Sequence, residues 1–157
     1  MSKKKNDWSG RTELRRALEN ASLPPDQRPE ISEPVYFFRF SATLRIAGDG
    51  LDFDEISRTL GLTPTHTHQK GARRKHDMWS YTAPIAKEQP LEEHIMALWD
   101  AVRPHIPYLR DLKQKFQVDV FCGYRSNSGT AGFQVDHRCL GLFSELEVPF
   151  GVSVIIS

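Results

Sequence analysis

An α+β fold, a two-layer sandwich with helices on one face of a mainly antiparallel sheet, is what this sequence predicts, and three observations carry the prediction. Phe38, Phe40, Ala42, Leu44 and Ile46 alternate with Arg39, Ser41, Thr43 and Arg45, the period of two that gives a strand one buried and one wet face. Asp52 to Leu60, and the stretch opened by Pro90, switch to helical spacing between residues that start and stop helices. The patterns then follow one another in the order β-α-β-α-α-β-β-α-β, which calls for helices and sheet in separate layers.

Taken in order, the first strand begins near Pro34 and ends at the turn Ala47-Gly48-Asp49-Gly50. Asp52 then caps a helix over residues 52–60, with Glu55 placed to reach back as in a capping box, and Phe53, Ile56 and Leu60 share one face. Gly61 is the left-handed terminator, Leu62 its hydrophobic partner, and Pro64 forbids continuation. Residues 65–77 read as a polar, basic loop, followed by a short strand from Met78 to Ala83 with Trp79 and Tyr81 on one side.

The second helix takes Pro90 at its start, Glu92 and Glu93 in its positive first turn, and Leu91, Ile95, Leu98 and Val102 along its apolar stripe. Pro104 and Pro107 interrupt it, and Tyr108, Leu109, Leu112 and Phe116 resume the spacing as a shorter helix. Gln117 to Tyr124, a loop from Arg125 to Thr130, and Phe133 to Val135 form the pattern of a hairpin. Cys139, Leu140, Phe143 and Leu146 predict a short helix despite Gly141. Phe150, Val152, Val154 and Ile156 alternate as the last strand.

At 157 residues, with 39% hydrophobic and 26% charged residues, the chain is sized for one domain and needs no disulfide or metal staple. That domain spans residues 34–157. Residues 1–33 read as a flexible charged leader with Pro24, Pro25 and Pro29, plus a short helix over residues 12–21 marked by Leu14, Ala17, Leu18 and Ala21. Lys3, Lys4 and Lys5 are followed by polar residues and not by an apolar core, which excludes a secretory signal and predicts a cytoplasmic protein. Cys122 and Cys139 lack paired metal-ligand spacing and are expected to be reduced and buried. A net charge of +1 excludes a strong global field, so any electrostatic function needs a local patch.

Leu44-Arg45-Ile46, Asp52 to Ile56, Leu60-Gly61-Leu62-Thr63-Pro64-Thr65, Lys70-Gly71, Trp79, the helix after Leu91 and the final Val152-Ser153-Val154-Ile155-Ile156 together resemble the bacterial family called domain of unknown function 4279. The resemblance covers residues 36–157. It implies a small intracellular bacterial α+β domain, and an expectation that some relatives act as immunity or accessory proteins in toxin-bearing loci. It implies no activity.

The densest chemistry lies between His66 and His76, where Lys70, Arg73, Arg74 and Lys75 accompany three histidines. His66 and His68 point to one side of an extended backbone and His76 could join them on a metal. With no carboxylate or cysteine in the cluster, no metal or other cofactor is expected. The loop reads either as a solvated connection between helix and strand or as a site whose cations meet a phosphate or carboxylate that Gly71 lets the backbone approach. Trp79 is either core or, beside these cations, a stacking platform for a nucleic-acid base.

Ser126, Ser128, His137 and Asp119 can be written as a catalytic triad, yet no nucleophile elbow surrounds either serine, and Ser, Asn and Gly are turn formers. Cys122 sits in an apolar alternation that suits inert core. The expectation is therefore a non-enzymatic binding domain, immunity-like by resemblance, that contacts an acidic protein through Lys70, Gly71, Arg73, Arg74, Lys75 and Trp79, and through Arg39 and Arg45 of the polar strand face. Nucleic-acid or nucleotide binding through residues 66–76 is the alternative, and a hydrolytic enzyme the second.

Overall fold

The alternation beginning at Phe38 produces strand β1 (Phe38–Gly48), the middle strand of the sheet. The computed structural model describes residues 15, 18–19, 21–27, 35–130 and 132–157. Beside β1 lie β3 (Asp77–Thr82) on one side and β4 (Gln117–Ser126) on the other, with β2 (His66–His68) and β5 (Val152–Ile156) at the edges. Every neighbouring pair is antiparallel except β4 and β5, which run parallel.

Four helices complete the domain. They are α1 (Phe53–Leu60), α2 (Leu91–Val102), α3 (Ile106–Lys113) and α4 (Gly141–Leu146), with short 3-10 turns at Arg103–His105 and His137–Leu140. The Asp52 carboxylate accepts the Glu55 N–H at 2.9 Å to start α1, and Gly61 closes it at a φ of 63°, a left-handed conformation where a side chain would be strained. Lys113 Nζ donates to the carbonyls of Leu146 and Glu147 at 2.9 and 2.7 Å. A cation of α3 thus satisfies the orphan carbonyls and the negative end of α4.

All the helices contribute to one core cluster on one face of the sheet. Phe40, Ala42, Leu44 and Ile46 of β1 meet Trp79 of β3, Val118, Val120, Cys122 and Tyr124 of β4, and the apolar stripes of α1, α2 and α3. The intervening residues Ser41, Thr43 and Arg45 face away and are only half buried. Helices on one face of a mainly antiparallel sheet is the predicted architecture, and among the described residues of 36–157 no helix packs on the second face.

Two strand assignments differ from the sequence reading. Residues 132–136 form no strand, and the place beside β4 is taken by β5. Ser126 Oγ accepts the Ser128 N–H at 3.0 Å and Ser128 Oγ donates to the Thr130 carbonyl at 2.9 Å, bonds that turn the chain off the sheet rather than back along it. Phe133 then lies edge-on to Tyr124, 5.8 Å between centroids, its apolar surface covering the end of the core and not extending the ladder. In compensation His66–His68, read as loop, is a strand paired with β3.

The chain divides into two units, residues 1–35 and 36–157. Of the first, Leu18, Glu19 and Ala21 are helical, Arg15 pairs with Glu19 at 3.0 Å, and Pro25–Gln27 is a single 3-10 turn. Leu14 and Ala17 of the expected leader helix, with residues 1–13, 16, 20 and 28–33 of the leader, lie outside the described residues. Among the described residues no helix is long and apolar enough to cross a membrane.

Candidate functional site: a basic depression on the open sheet face

Register alone assembles the floor of the site. Arg45 lies opposite Ser80 on one side and Asp119 on the other, and Ser80 lies opposite His66. These four therefore form one row across the open face, with His68, Met78, Ala47 and Gln117 as the next. Arg45 Nε and Nη2 donate to the two oxygens of Asp119 at 2.7 and 2.9 Å, the bidentate geometry in which an ion pair of this kind is strongest. Its guanidinium also covers the Phe121 ring, 4.8 Å from the centroid. Arg45, expected to meet a partner, is thus engaged within the sheet.

The loop that overhangs this floor is held at both ends. Asp77, the first residue of β3, accepts the backbone N–H of Lys70 at 2.7 Å and those of Gly50 and Leu51 at 2.8 and 3.2 Å. These bonds, the one from Lys70 foremost, hold its carboxyl below the usual carboxylate range. Asp49 accepts from Lys70 Nζ at 2.8 Å and from His76 Nδ1 at 2.9 Å, and the Lys70 bond first, then that of His76, lowers its pKa as well. Lys70 is held above its ordinary value by the same partner. Between these anchors Gly71 and Arg74 exchange backbone hydrogen bonds at 2.9 and 3.1 Å, a tight turn that presents Ala72 and Arg73 at its tip.

Lys70 and His76 are accordingly structural anchors, Gly71 is a turn position, and Arg73, Arg74 and Lys75 are exposed and form no ion pair among the described residues. The depression between loop and floor has a volume of about 310 Å³ and is lined by Arg45, His68, Arg73, Arg74, Lys75 and Asp119, among others. His66 and His68 stand side by side with Nε2 and Nδ1 3.4 Å apart, so one ring donates and the other accepts. His76 points instead to Asp49, and among the described residues no three His, Cys, Asp or Glu side chains converge as metal ligands do.

A second basic cluster occupies the far end of the same face. Arg39 lies opposite Arg125, and Ser41 opposite Gly123 and, beyond it, Ser153. With Lys87 and Phe121 these line a depression of about 250 Å³. Arg39 Nε is 4.0 Å from Glu88, a loose pairing, and its guanidinium lies 5.2 Å from the Phe37 ring centroid. Six residues of strand, about 20 Å, separate Arg39 from Arg45. Arg125 and Lys87 escaped the sequence reading because each lies alone in its local stretch; strand pairing brings Arg125 beside Arg39, and the Phe40 N–H donating to the Lys87 carbonyl at 2.7 Å brings Lys87 there.

Trp79 is completely buried and its indole N–H donates to Ser57 Oγ of α1 at 3.0 Å. It offers no ring face to a base. The residues of the hypothetical triad are not brought together. Asp119 points to the open face and pairs with Arg45, Ser126 is buried and bonded to Ser128, and His137 is exposed beside Asp136. The Cys122 thiol lies within the core, where burial pushes its pKa up to about 12, so a thiolate nucleophile is not available there.

Residues 38–157 match the family model described as a domain of unknown function (DUF4279), and the chain belongs to that family. No curated protein and no solved structure matches the chain significantly.

Proposed function

We propose that the domain is a non-enzymatic binding module that docks an acidic surface of a partner protein on its open sheet face. The observation that carries this reading is the gathering of cations without an ion-pair partner among the described residues, Arg73, Arg74 and Lys75 at one end and Arg125 and Lys87 at the other, on the sheet face away from helices α1–α4. Neutral side chains lie between them: Thr43 and Thr82, whose hydroxyls meet at 2.9 Å, Ser41, and the Phe121 ring opposite Thr43. Basic groups at both ends of one sheet face suit an extended acidic surface better than a small ligand.

In this proposal the protein acts in the bacterial cytoplasm, and an immunity-like role makes the partner a toxin encoded nearby. Affinity capture from lysate, repeated with the variant R73A/R74A/K75A, tests the docking. The wild type retains a defined acidic protein and the variant loses most of it. Equal capture by the two proteins contradicts the reading. Unselective retention of arbitrary oligonucleotides, falling steeply with salt, transfers the face to nucleic acid.

A further inference from the structure

The two edges of the sheet are built differently. At one, β2 is three residues long and carries His66 and His68. That is the short, polar edge by which proteins discourage strand addition. At the other, β5 has the sequence Val-Ser-Val-Ile-Ile over Val152–Ile156, without a charge or a proline. Val154, Ile155 and Ile156 are 53%, 55% and 52% exposed, so both faces of this edge carry an exposed apolar side chain, and no strand pairs with its outer side among the described residues.

Backbone parity adds to the contrast. The Ser157 N–H donates to the Ser126 carbonyl of β4 at 3.0 Å. Because successive residues of a strand aim their backbone groups to alternate sides, Ser153 and Ile155 also point to β4, whereas Val152, Val154 and Ile156 point outward. We infer that the β5 edge is an interface for a second copy of this chain, paired antiparallel about a twofold axis beside Val154.

In that register Val154 meets Val154 of the second copy and Val152 meets its Ile156, each pair exchanging both N–H···O bonds. The same pairing puts β-branched side chains opposite one another along the core-side face, the combination that stabilises cross-strand contacts most evenly. A strand whose outward residues are all apolar is complementary to itself, as an isologous contact requires. On the core-side face Ile156 shares a row with Phe38 and Val154 shares one with Phe40 and Tyr124. The half-exposed side chains there, with the edge backbone, supply on the order of 400 Å² per copy. A total of about 800 Å² falls short of the roughly 1,000 Å² of a stable interface, so the dimer is weak and forms in the micromolar range or above. It continues the open face of one copy into that of the other.

Sedimentation of the full chain from about 1 µM to about 500 µM, a range that brackets a weak interface, tests the inference. A reversible monomer–dimer equilibrium is expected, and Val154→Lys should raise its dissociation constant at least about tenfold. Hydrogen exchange of the unaltered protein gives a readout independent of any variant. The Val152, Val154 and Ile156 amides should gain protection with concentration, while the Ser153 and Ile155 amides, bonded to β4, should not change. A monomer across the whole range, or a dimer whose Val154 amide exchanges at a concentration-independent rate, overturns the inference and frees this edge for a different partner.

Discussion

On the helix-covered side of β1, Phe40, Ala42, Leu44 and Ile46 pack against apolar neighbours from three helices and two strands, while on the open side Arg45 is satisfied by Asp119 and Thr43 by Thr82. The same backbone thus carries a face held by area and a face held by specific polar pairs. Substitutions on the first should be felt in stability. On the second they divide into residues already spent on one another and residues left over, and only the leftover cations are free to act on something else.

The largest effect is expected at Trp79, where replacement by alanine removes a fully buried side chain and leaves the Ser57 hydroxyl without its donor. A loss of about 3–5 kcal/mol in urea unfolding is expected. Next comes Gly48→Ala, because a Cβ there would stand 2.6 Å from Phe116 Cδ1. Overpacking of this kind costs about 1–3 kcal/mol, and a melting temperature equal to wild type would mean that the ring moves aside freely.

The pattern of these contacts also explains what the sequence disclosed. Periodicity along β1 and the cap and stop residues of α1 are local signals, so their elements and the side each residue faces were legible. The hairpin at Phe133 and the edge strand at His66–His68 were misassigned because three-residue segments carry too little alternation to separate strand from loop. Pairing with β3 and the bonds of Ser126 and Ser128 decide those cases. In the candidate site, composition pointed to the basic loop. That Arg45 is engaged by a partner 74 residues away, and that Lys70 is tied to Asp49, are long-range facts no local window contains.

Acid should distinguish the two faces again. Burial lowers the pKa of His94, which lies in the core, so the unfolded chain binds the proton more readily and stability declines as pH falls below about 6.5. His94→Leu should flatten that limb. On the loop side, Asp49 and Asp77 have depressed pKa values, as does Asp136, at about 2, through its bonds to Arg138. Their stabilisation is complete above about 3.8, the ordinary carboxylate value, and is lost as pH falls toward 2. Asp77→Asn should lessen the dependence in this lower window alone, as thermal melts against pH would reveal.

The smallest effect on stability is expected from Arg73, Arg74 and Lys75, whose exposed side chains should each contribute less than about 0.5 kcal/mol. Their replacement leaves the anchors Asp49 and Asp77 untouched. The most direct measurement is therefore the association rate of the captured acidic protein with wild type and with R73A/R74A/K75A across ionic strength. Docking on the open face predicts a slower encounter and a shallower salt dependence for the variant, at an unchanged melting temperature. Identical rates and identical salt slopes for the two proteins would contradict it.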